Sequence, residues 1–580
     1  MSDELEPLAP IEPAPTSTPA ESDADAAPPR STRVPALVQG AAVAVVLAVI
    51  AAVSMTARQP PPPSVAEYAP QAVSQIQQAP PEQTNDLGRG SGGATTTTAP
   101  SGLDGVNGGG PGATTSTTRE TIEKPRVRRC VGDPARQIED PQSPPCVPYF
   151  DPKADNGGET SFGVTRDQIN ISWTPDFLET DIFLNDLKDF FNSRFEFYGR
   201  KINLLRDSPY TGDADPSLMR ADAEDAHALG AFAALNYTAR AGAEYVFYDA
   251  LAEKKIISIA HRVQAQATDA HFRQRAPYQW SVVPTVDSML RNYGQFICGS
   301  LAGRPTQWAG TNASAPKRVF GVIVQEAADG SRPDTKPLAD ELRRCGTSIA
   351  RTVNHRVTNQ TGRTGAAVMS SIAEADVTSV ICLCDGKELK EILMPAASAQ
   401  VYQPEWLVGS YLDADLDNSL SGAPPDQATR AFGLSFRNKL LPKQDMPFYW
   451  ALKEARPTSD PQGGAYYSVY SRYMSLLLLS SGIQMAGPHL TPSSFAAGLL
   501  RTRWANPGAG APPYFQAAAG FDNGRRTLLD DASMIWHDPR RRSTVDPDTT
   551  GAVCYIRRGQ RHHLGTWPQA PQPFFTEPCL

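Results

Sequence analysis

The chain has 580 residues, enough for two to four compact units at roughly 100–200 residues each, and Gly and Pro supply about a sixth of it. Glycine shows no three-residue period, which excludes a collagen-like chain, and the net charge of −8 lacks the clustered Lys and Arg that phosphate contacts need, so no nucleic-acid partner is expected.

Residues 1–33 are acidic and rich in Pro and Ala, with too little apolar surface to offset the entropy of ordering; they read as a disordered cytoplasmic tail. Residues 34–57 carry no charge, and Ala36–Met55 is nearly all small or aliphatic. At 1.5 Å per residue, about 20 such residues cross a hydrocarbon core of roughly 30 Å. A cleaved secretory leader would have a shorter core and a shorter charged leader, and a lipid-anchored protein would have a Cys close behind, so the reading is a single-pass transmembrane helix. Arg30 and Arg33 precede the span and Arg58 alone lies close after it, which predicts an N-terminus inside and everything beyond residue 57 extracytoplasmic, on the cell membrane. Residues 58–125, with Pro60–Pro63, Thr95–Thr98 and Gly108–Gly110, form a flexible linker.

All eight cysteines lie beyond the span, and an even count in an oxidising compartment predicts disulfides. The nearest closures are Cys130 with Cys146 and Cys554 with Cys579; Cys298 and Cys345 are further candidates. Cys382 and Cys384 have no second Cys pair or nearby His to complete a tetrahedral metal set, so no metal is expected.

From about residue 162 short apolar runs alternate with amphipathic stretches. Strands are predicted at 168–173, 201–205 and 255–260, with helices at 179–194, 216–232 and 241–254. Phe183, Leu187, Phe190 and Phe191 recur at helical spacing on the first of these helices. The rhythm restarts with helices at 287–301, 334–345, 365–375 and 387–399 between strands at 318–324, 348–354, 377–383 and 406–411. Alternation of this kind predicts an α/β fold of two doubly wound parallel-sheet lobes. A long apolar helix at 466–485 and a shorter one at 491–501 follow, with the first positioned to return to the first lobe; the tail from residue 506 reads as an irregular wrap.

Several phrases resemble type I periplasmic binding proteins of the branched-chain amino-acid kind. Gly199–Asp207 (GRKINLLRD) resembles the family's second strand, followed by its Asp-Pro helix start at Asp215 and Pro216. Glu253–Ala260 (EKKIISIA) is similar to the passage where the family turns towards its ligand, and Tyr278–Thr285 (YQWSVVPT) to its crossing into the second lobe. Ala465–Tyr470 and Leu490–Phe495 resemble its returning helices. The resemblance covers roughly residues 162–570. It implies a two-lobed solute-binding domain at 126–580, lobe 1 about 162–285 plus 430–580 and lobe 2 about 286–429. Such a domain captures a small amino-acid-like molecule between its lobes for a separate ABC-type permease.

In open α/β sheets ligands bind beyond the carboxyl ends of strands. That rule selects Thr174, Asn236, Tyr237, Thr238 and His261 in lobe 1, and Glu326, Asp385, Tyr411 and Asp413 in lobe 2. The resemblance implies an acidic group in lobe 2 that pairs with a ligand ammonium. The bulky Asn236-Tyr237 and His261 depart from the small residues usual at that loop. Asp385, before Gly386, has a second reading as a turn or helix cap.

Asp413–Ser419 has the alternating oxygens of a calcium loop, but no Gly at its sixth position and Pro424 where the closing Glu belongs. There is no Gly-x-Ser-x-Gly elbow and no phosphate loop, so neither an enzyme nor a cofactor is expected. Arg540-Arg541-Arg542 reads as a solvated basic face. The rival to capture and delivery is a sensory or protein-interaction module on the same fold.

Overall fold

The computed structural model describes residues 130–579 apart from 134, 174–180, 207–215, 236–243, 328–329, 357–360, 463–464, 505–516 and 522–523. The expected cytoplasmic tail, transmembrane span and linker lie outside the described residues. Among the described residues, no helix is long and apolar enough to cross a membrane.

Two sheets organise the chain. The first holds β1 (Gln168–Trp173), β2 (Lys201–Arg206), β3 (Ala233–Leu235), β4 (Ile257–Ala260) and β5 (Gln279–Ser281), all parallel, in the order 2-1-3-4-5. Between them run α1 (Asp181–Arg194), α2 (Pro216–Ala228), α3 (Glu244–Glu253) and the short α4 (Asp269–Gln274). The second sheet repeats that order with β6 (Phe320–Glu326), β7 (Ile349–Arg356), β8 (Ser379–Leu383), β9 (Glu405–Gly409) and β10 (Ala431–Ser435), arranged 7-6-8-9-10 and again parallel. Its helices are α5 (Val286–Ser300), α6 (Lys336–Arg344), α7 (Thr361–Ala373), α8 (Gly386–Glu388), a π turn at Leu389–Leu393 and α9 (Met394–Ala399). The two doubly wound lobes expected from alternation are thus present.

Each sheet packs a core on both faces, which is why its central strands such as β4, β6, β8 and β9 are buried nearly throughout, while the edge strand β7 is largely exposed. Ile169, Ile171 and Phe191 belong to one core of the first sheet, and Met219, Ala234 and Phe247 to the other. In the second sheet Val322, Ile381 and Leu407 face one core, and Ile323, Val380 and Trp406 the opposite one. After α10 (Pro425–Ala428) and α11 (Pro447–Ala455) the chain forms the 22-residue α12 (Ala465–Ala486). Its Leu476–Leu479 are fully buried, because α12 lies in the first sheet's core with α1 on one side and α13 (Pro492–Arg501) on the other. This is the predicted return to the first lobe.

The tail departs from expectation. β10 and the tail strands β11 (Ala532–Arg542), β12 (Thr550–Tyr555) and β13 (Arg561–His562) extend the second sheet rather than the first lobe, with β11 antiparallel to β10. Residues 430–435 and 532–562 therefore belong with 286–429. The physical reason is that β10 is only five residues long and includes Gly433, whose φ of +159° brings it tight against β9, so its pattern is too short to assign.

Three chain segments cross between lobes. Val282 lies in a first-lobe core and Val283 in a second-lobe core; Phe436 and Met446 bracket the return; Leu529 and Ala532 bracket the last passage. Residues 527–529 are pinned to the first crossing, with the Leu528 amide donating to Ser281 O at 2.8 Å and Leu529 to Val282 O at 3.0 Å. Disulfides join Cys130–Cys146, Cys298–Cys345 and Cys554–Cys579, the expected candidates, and also Cys382–Cys384.

Candidate functional site

The carboxyl ends of β4 and β9 meet between the lobes. Val263, just after β4, pairs in parallel with Tyr411, just after β9, and the Leu412 amide donates to Val263 O at 3.1 Å. This contact holds Leu412 and Asp413 at φ of +50° and +64°, a left-handed conformation that costs side-chain-bearing residues about 1–3 kcal/mol each. Strain of that kind persists only where surrounding contacts impose it, and here those contacts come from the other lobe.

The turn aims the Asp413 carboxylate at two guanidinium groups. Arg262 Nε of the first lobe lies 2.6 Å from one oxygen, and Arg437 of the second-lobe crossing pairs with the other. Burial pushes the Asp413 carboxyl up, but Arg437 and Arg262 outweigh it and hold the group below its ordinary value. Arg262 also lies 3.6 Å from the buried Glu244 at the start of α3, which bonds Gln264 as well. Arg437 binds Asp415 at 3.0 Å, and Asp415 accepts from the Ser410 and Ser435 hydroxyls at 2.5 and 2.6 Å. A second contact joins the Gln266 amide of the first lobe to the Ser331 hydroxyl of the second.

Of the residues selected by sequence, the structure brings His261, Tyr411, Asp413 and Asp385 into one neighbourhood. Burial, reinforced by Arg262, pulls His261 down to about 3, so it stands neutral beside the network. Burial raises the Tyr411 phenol, and the nearby Asp385 carboxylate adds to the rise. Asp385 caps α8 by accepting from the Glu388 amide at 2.6 Å and exchanges bonds with Gln325 at 2.7 and 2.9 Å. Its reading as a helix cap describes what it does here. Glu326 stands apart, held by Arg332 at 3.1 Å and Arg356 at 3.6 Å. Thr174, Asn236, Tyr237 and Thr238 lie outside the described residues.

Arg262, Arg437, Glu244 and Asp415 are absent from the sequence-based selection. Arg262 immediately follows a predicted strand and was within reach of the strand-end rule; Arg437 follows β10, the strand that went unrecognised. A buried pair, His355 Nδ1 and Glu388 Oε1 at 2.8 Å, also sits at this end of the second sheet, on β7 and α8.

Solved solute-binding proteins are similar to this chain. One, from an ABC transporter of Rhodopseudomonas palustris BisB5 in complex with 3,4-dihydroxybenzoic acid, is 10% identical over 68% of this chain and 98% of its own, with a TM-score of 0.46. Another, described as a branched-chain amino-acid ABC transporter from Thermus thermophilus with bound valine, is 14% identical over 69% and 97%, at 0.48. A third, an R. palustris solute-binding protein with 4-hydroxybenzoate, is 10% identical over 70% and 98%, at 0.48. No family model matches the sequence, and no curated protein does.

Chemically the seam is an electrostatic clasp. Its charges are fixed in opposite signs on opposite lobes, Arg262 on the first and Asp413 on the second.

Proposed function

We propose that the chain is a membrane-tethered extracytoplasmic binding protein that captures a small amino-acid-like molecule between its lobes for a separate ABC-type permease. The observation that carries this reading is the 2.6 Å pair of Arg262 and Asp413 across the lobe seam. A zwitterion entering the seam replaces both halves of that pair at once, its carboxylate meeting Arg262 and its ammonium meeting Asp413. A ligand with one charge alone replaces half of the pair and leaves Asp413 to Arg437, or Arg262 to Glu244 at 3.6 Å and to water, so it gains less than a zwitterion. The three crossings supply the hinge that such opening and closing requires. Binding in this reading is non-enzymatic, and tethering rests on residues 34–57 and the linker behind them.

A second reading has one specific observation in its favour. The same pair, with the Val263–Tyr411 pairing, closes the seam using only the chain's own residues. A head whose lobes are joined by its own charges suits a sensory or protein-interaction module.

Thermal unfolding of the full-length chain against amino acids, matched amines and matched carboxylic acids separates the two. A ligand that binds the folded state raises the midpoint with concentration, by about 2.7 kcal/mol of stabilisation at a hundredfold excess over Kd. Capture predicts a shift with an amino acid that its amine and acid counterparts do not give, and that Asp413→Ala or Thr238→Ala abolishes. No shift across the panel sinks capture and leaves the interaction module.

A further inference from the structure

The residues ahead of the first sheet form a loop that reaches the hinge, away from the Arg262–Asp413 pair. Cys130 and Cys146 close it, and Arg136 inside it pairs with both Val131 and Pro145. The loop is packed into the head rather than laid on its surface: Ile138 lies in a first-lobe core, and the polar Gln137, Asp140, Gln142 and Ser143 are all buried. Polar groups taken out of water need partners, and those of Asp140 and Gln142 belong to the head. Asp140 accepts from the Tyr473 hydroxyl of α12 and from the Gln142 amide, both at 2.8 Å, which seats the loop on the first lobe.

The Gln142 side chain extends to the return crossing. Its nitrogen donates to Asn438 Oδ1 at 2.7 Å and to Ala517 O at 2.8 Å, and its oxygen accepts from Asn438 Nδ2 at 2.8 Å. Ala517, in a first-lobe core, donates its own amide to Asn438 Oδ1 at 2.8 Å. Asn438 is thereby fixed to the first lobe. Its neighbour Arg437 is fixed to the second: the guanidinium holds Asp413 and Asp415, and Arg561 of β13 donates to Arg437 O and Phe436 O, both at 3.0 Å. Consecutive residues held by opposite lobes leave this crossing little slack, and a hinge opens through the few residues free to change φ and ψ.

We propose that the Cys130–Cys146 loop is a hinge latch, which keeps the seam shut by fixing Asn438 to the first lobe through Gln142. The latch goes beyond either reading of the seam, because it governs opening whatever the seam accepts.

Hydrogen–deuterium exchange of the full chain follows the latch at the Leu412 amide, whose bond to Val263 O crosses the seam. Gln142→Ala should speed exchange there about tenfold, as expected for losing a buried hydrogen-bonded contact, while the amides of β8, inside the second lobe, keep their protection. Cys130→Ser with Cys146→Ser leaves the buried side chains of the loop in place and should act at the same amide in the same direction, by about threefold. Cys298→Ser with Cys345→Ser removes a disulfide that joins α5 to the end of α6, both in the second lobe, and should leave Leu412 as it was. No acceleration at Leu412 in Gln142→Ala overturns the latch, and where that variant does not fold the Cys130/Cys146 variant decides in its place. Equal acceleration at Leu412 and in β8, or an equal effect of the Cys298/Cys345 variant, also overturns it, since the loop would then be a general support of the fold. The amino-acid test of the seam is a separate result and stands or falls without the latch.

Discussion

The second lobe carries two buried ion networks, one at each end of its sheet, built from the same chemistry and put to different use. At the amino ends of the strands, Arg318 and Glu405 are 1% and 0% exposed and meet at 2.6 and 3.0 Å in a two-pronged pair. Every remaining lone pair is satisfied there: Ser379 donates to Glu405 at 2.6 Å, and the Gln307 and Trp308 amides at 3.0 and 3.2 Å. All of these partners belong to one lobe. At the carboxyl ends, Asp413 and Arg262 are 17% and 24% exposed and belong to different lobes, and Asp413 rests on a strained turn. A pair whose partners share a rigid frame and are out of water is a fixed part of the fold. A pair whose partners ride on separate frames, with water at hand to receive either one, is suited to exchange.

Removing one half of each pair is the sharpest way to break that contrast. Glu405→Ala strands the Arg318 guanidinium in a dry site and is expected to cost about 3–5 kcal/mol in denaturant unfolding. A loss below about 1 kcal/mol would mean that the two ends do not differ in kind. Asp413→Ala should cost less, about 1–3 kcal/mol, because Arg262 can turn to water. It should also enlarge the radius of gyration in small-angle scattering, a change that Glu405→Ala leaves untouched. A double-mutant cycle of Arg262→Met with Asp413→Ala should return a coupling of about 0.5–3 kcal/mol; additivity would show that the seam is not held by this pair.

Asp385→Ala removes the cap of α8 and is expected to cost about 1 kcal/mol, with no change in scattering. The smallest effect concerns acid. The Asp413 carboxyl is held below its ordinary value, so its stabilisation is complete above the unfolded pKa of about 3.9 and is lost as pH falls through the lower folded value. Scattering curves at pH 7 and pH 5 should therefore superimpose, and expansion should begin only below about pH 4. Expansion at pH 5 would assign the seam to another group.

How far the sequence discloses this architecture depends on the length of each signal. β1 is recovered to the residue because six alternately and then continuously buried positions leave one reading. The helix predicted at 216–232 ends at Ala228, and the strand β3 that follows, Ala233–Leu235, is three residues long and carries too little pattern to be seen. The carboxyl-end rule selects His261, Tyr411 and Asp413, which lie together at the seam, since it depends only on where strands stop. It could not find Arg437, whose strand was not recognised, nor reveal that Arg262 would reach Asp413, a contact between residues 151 positions apart that no local pattern encodes. Asp385 had two readings that local sequence could not separate, because a cap and a ligand contact both need an acid before Gly386.

The interleaving of the lobes has a consequence for synthesis. The five strands of the first sheet are complete by residue 281, yet the helix that fills their core, α12, is translated only after the next two hundred residues. At about 5–20 residues per second that delay is roughly 10–40 s. The second sheet waits longer still, because β11 and β12, which complete its edge beside β10, come from the last fifty residues of the described chain. The first lobe therefore cannot finish folding until the parallel part of the second has been made, and the second waits for its last strands. Nascent chains should depend on holding factors until late in translation, and truncations just before residue 465 should be degraded rather than accumulate as a folded first lobe.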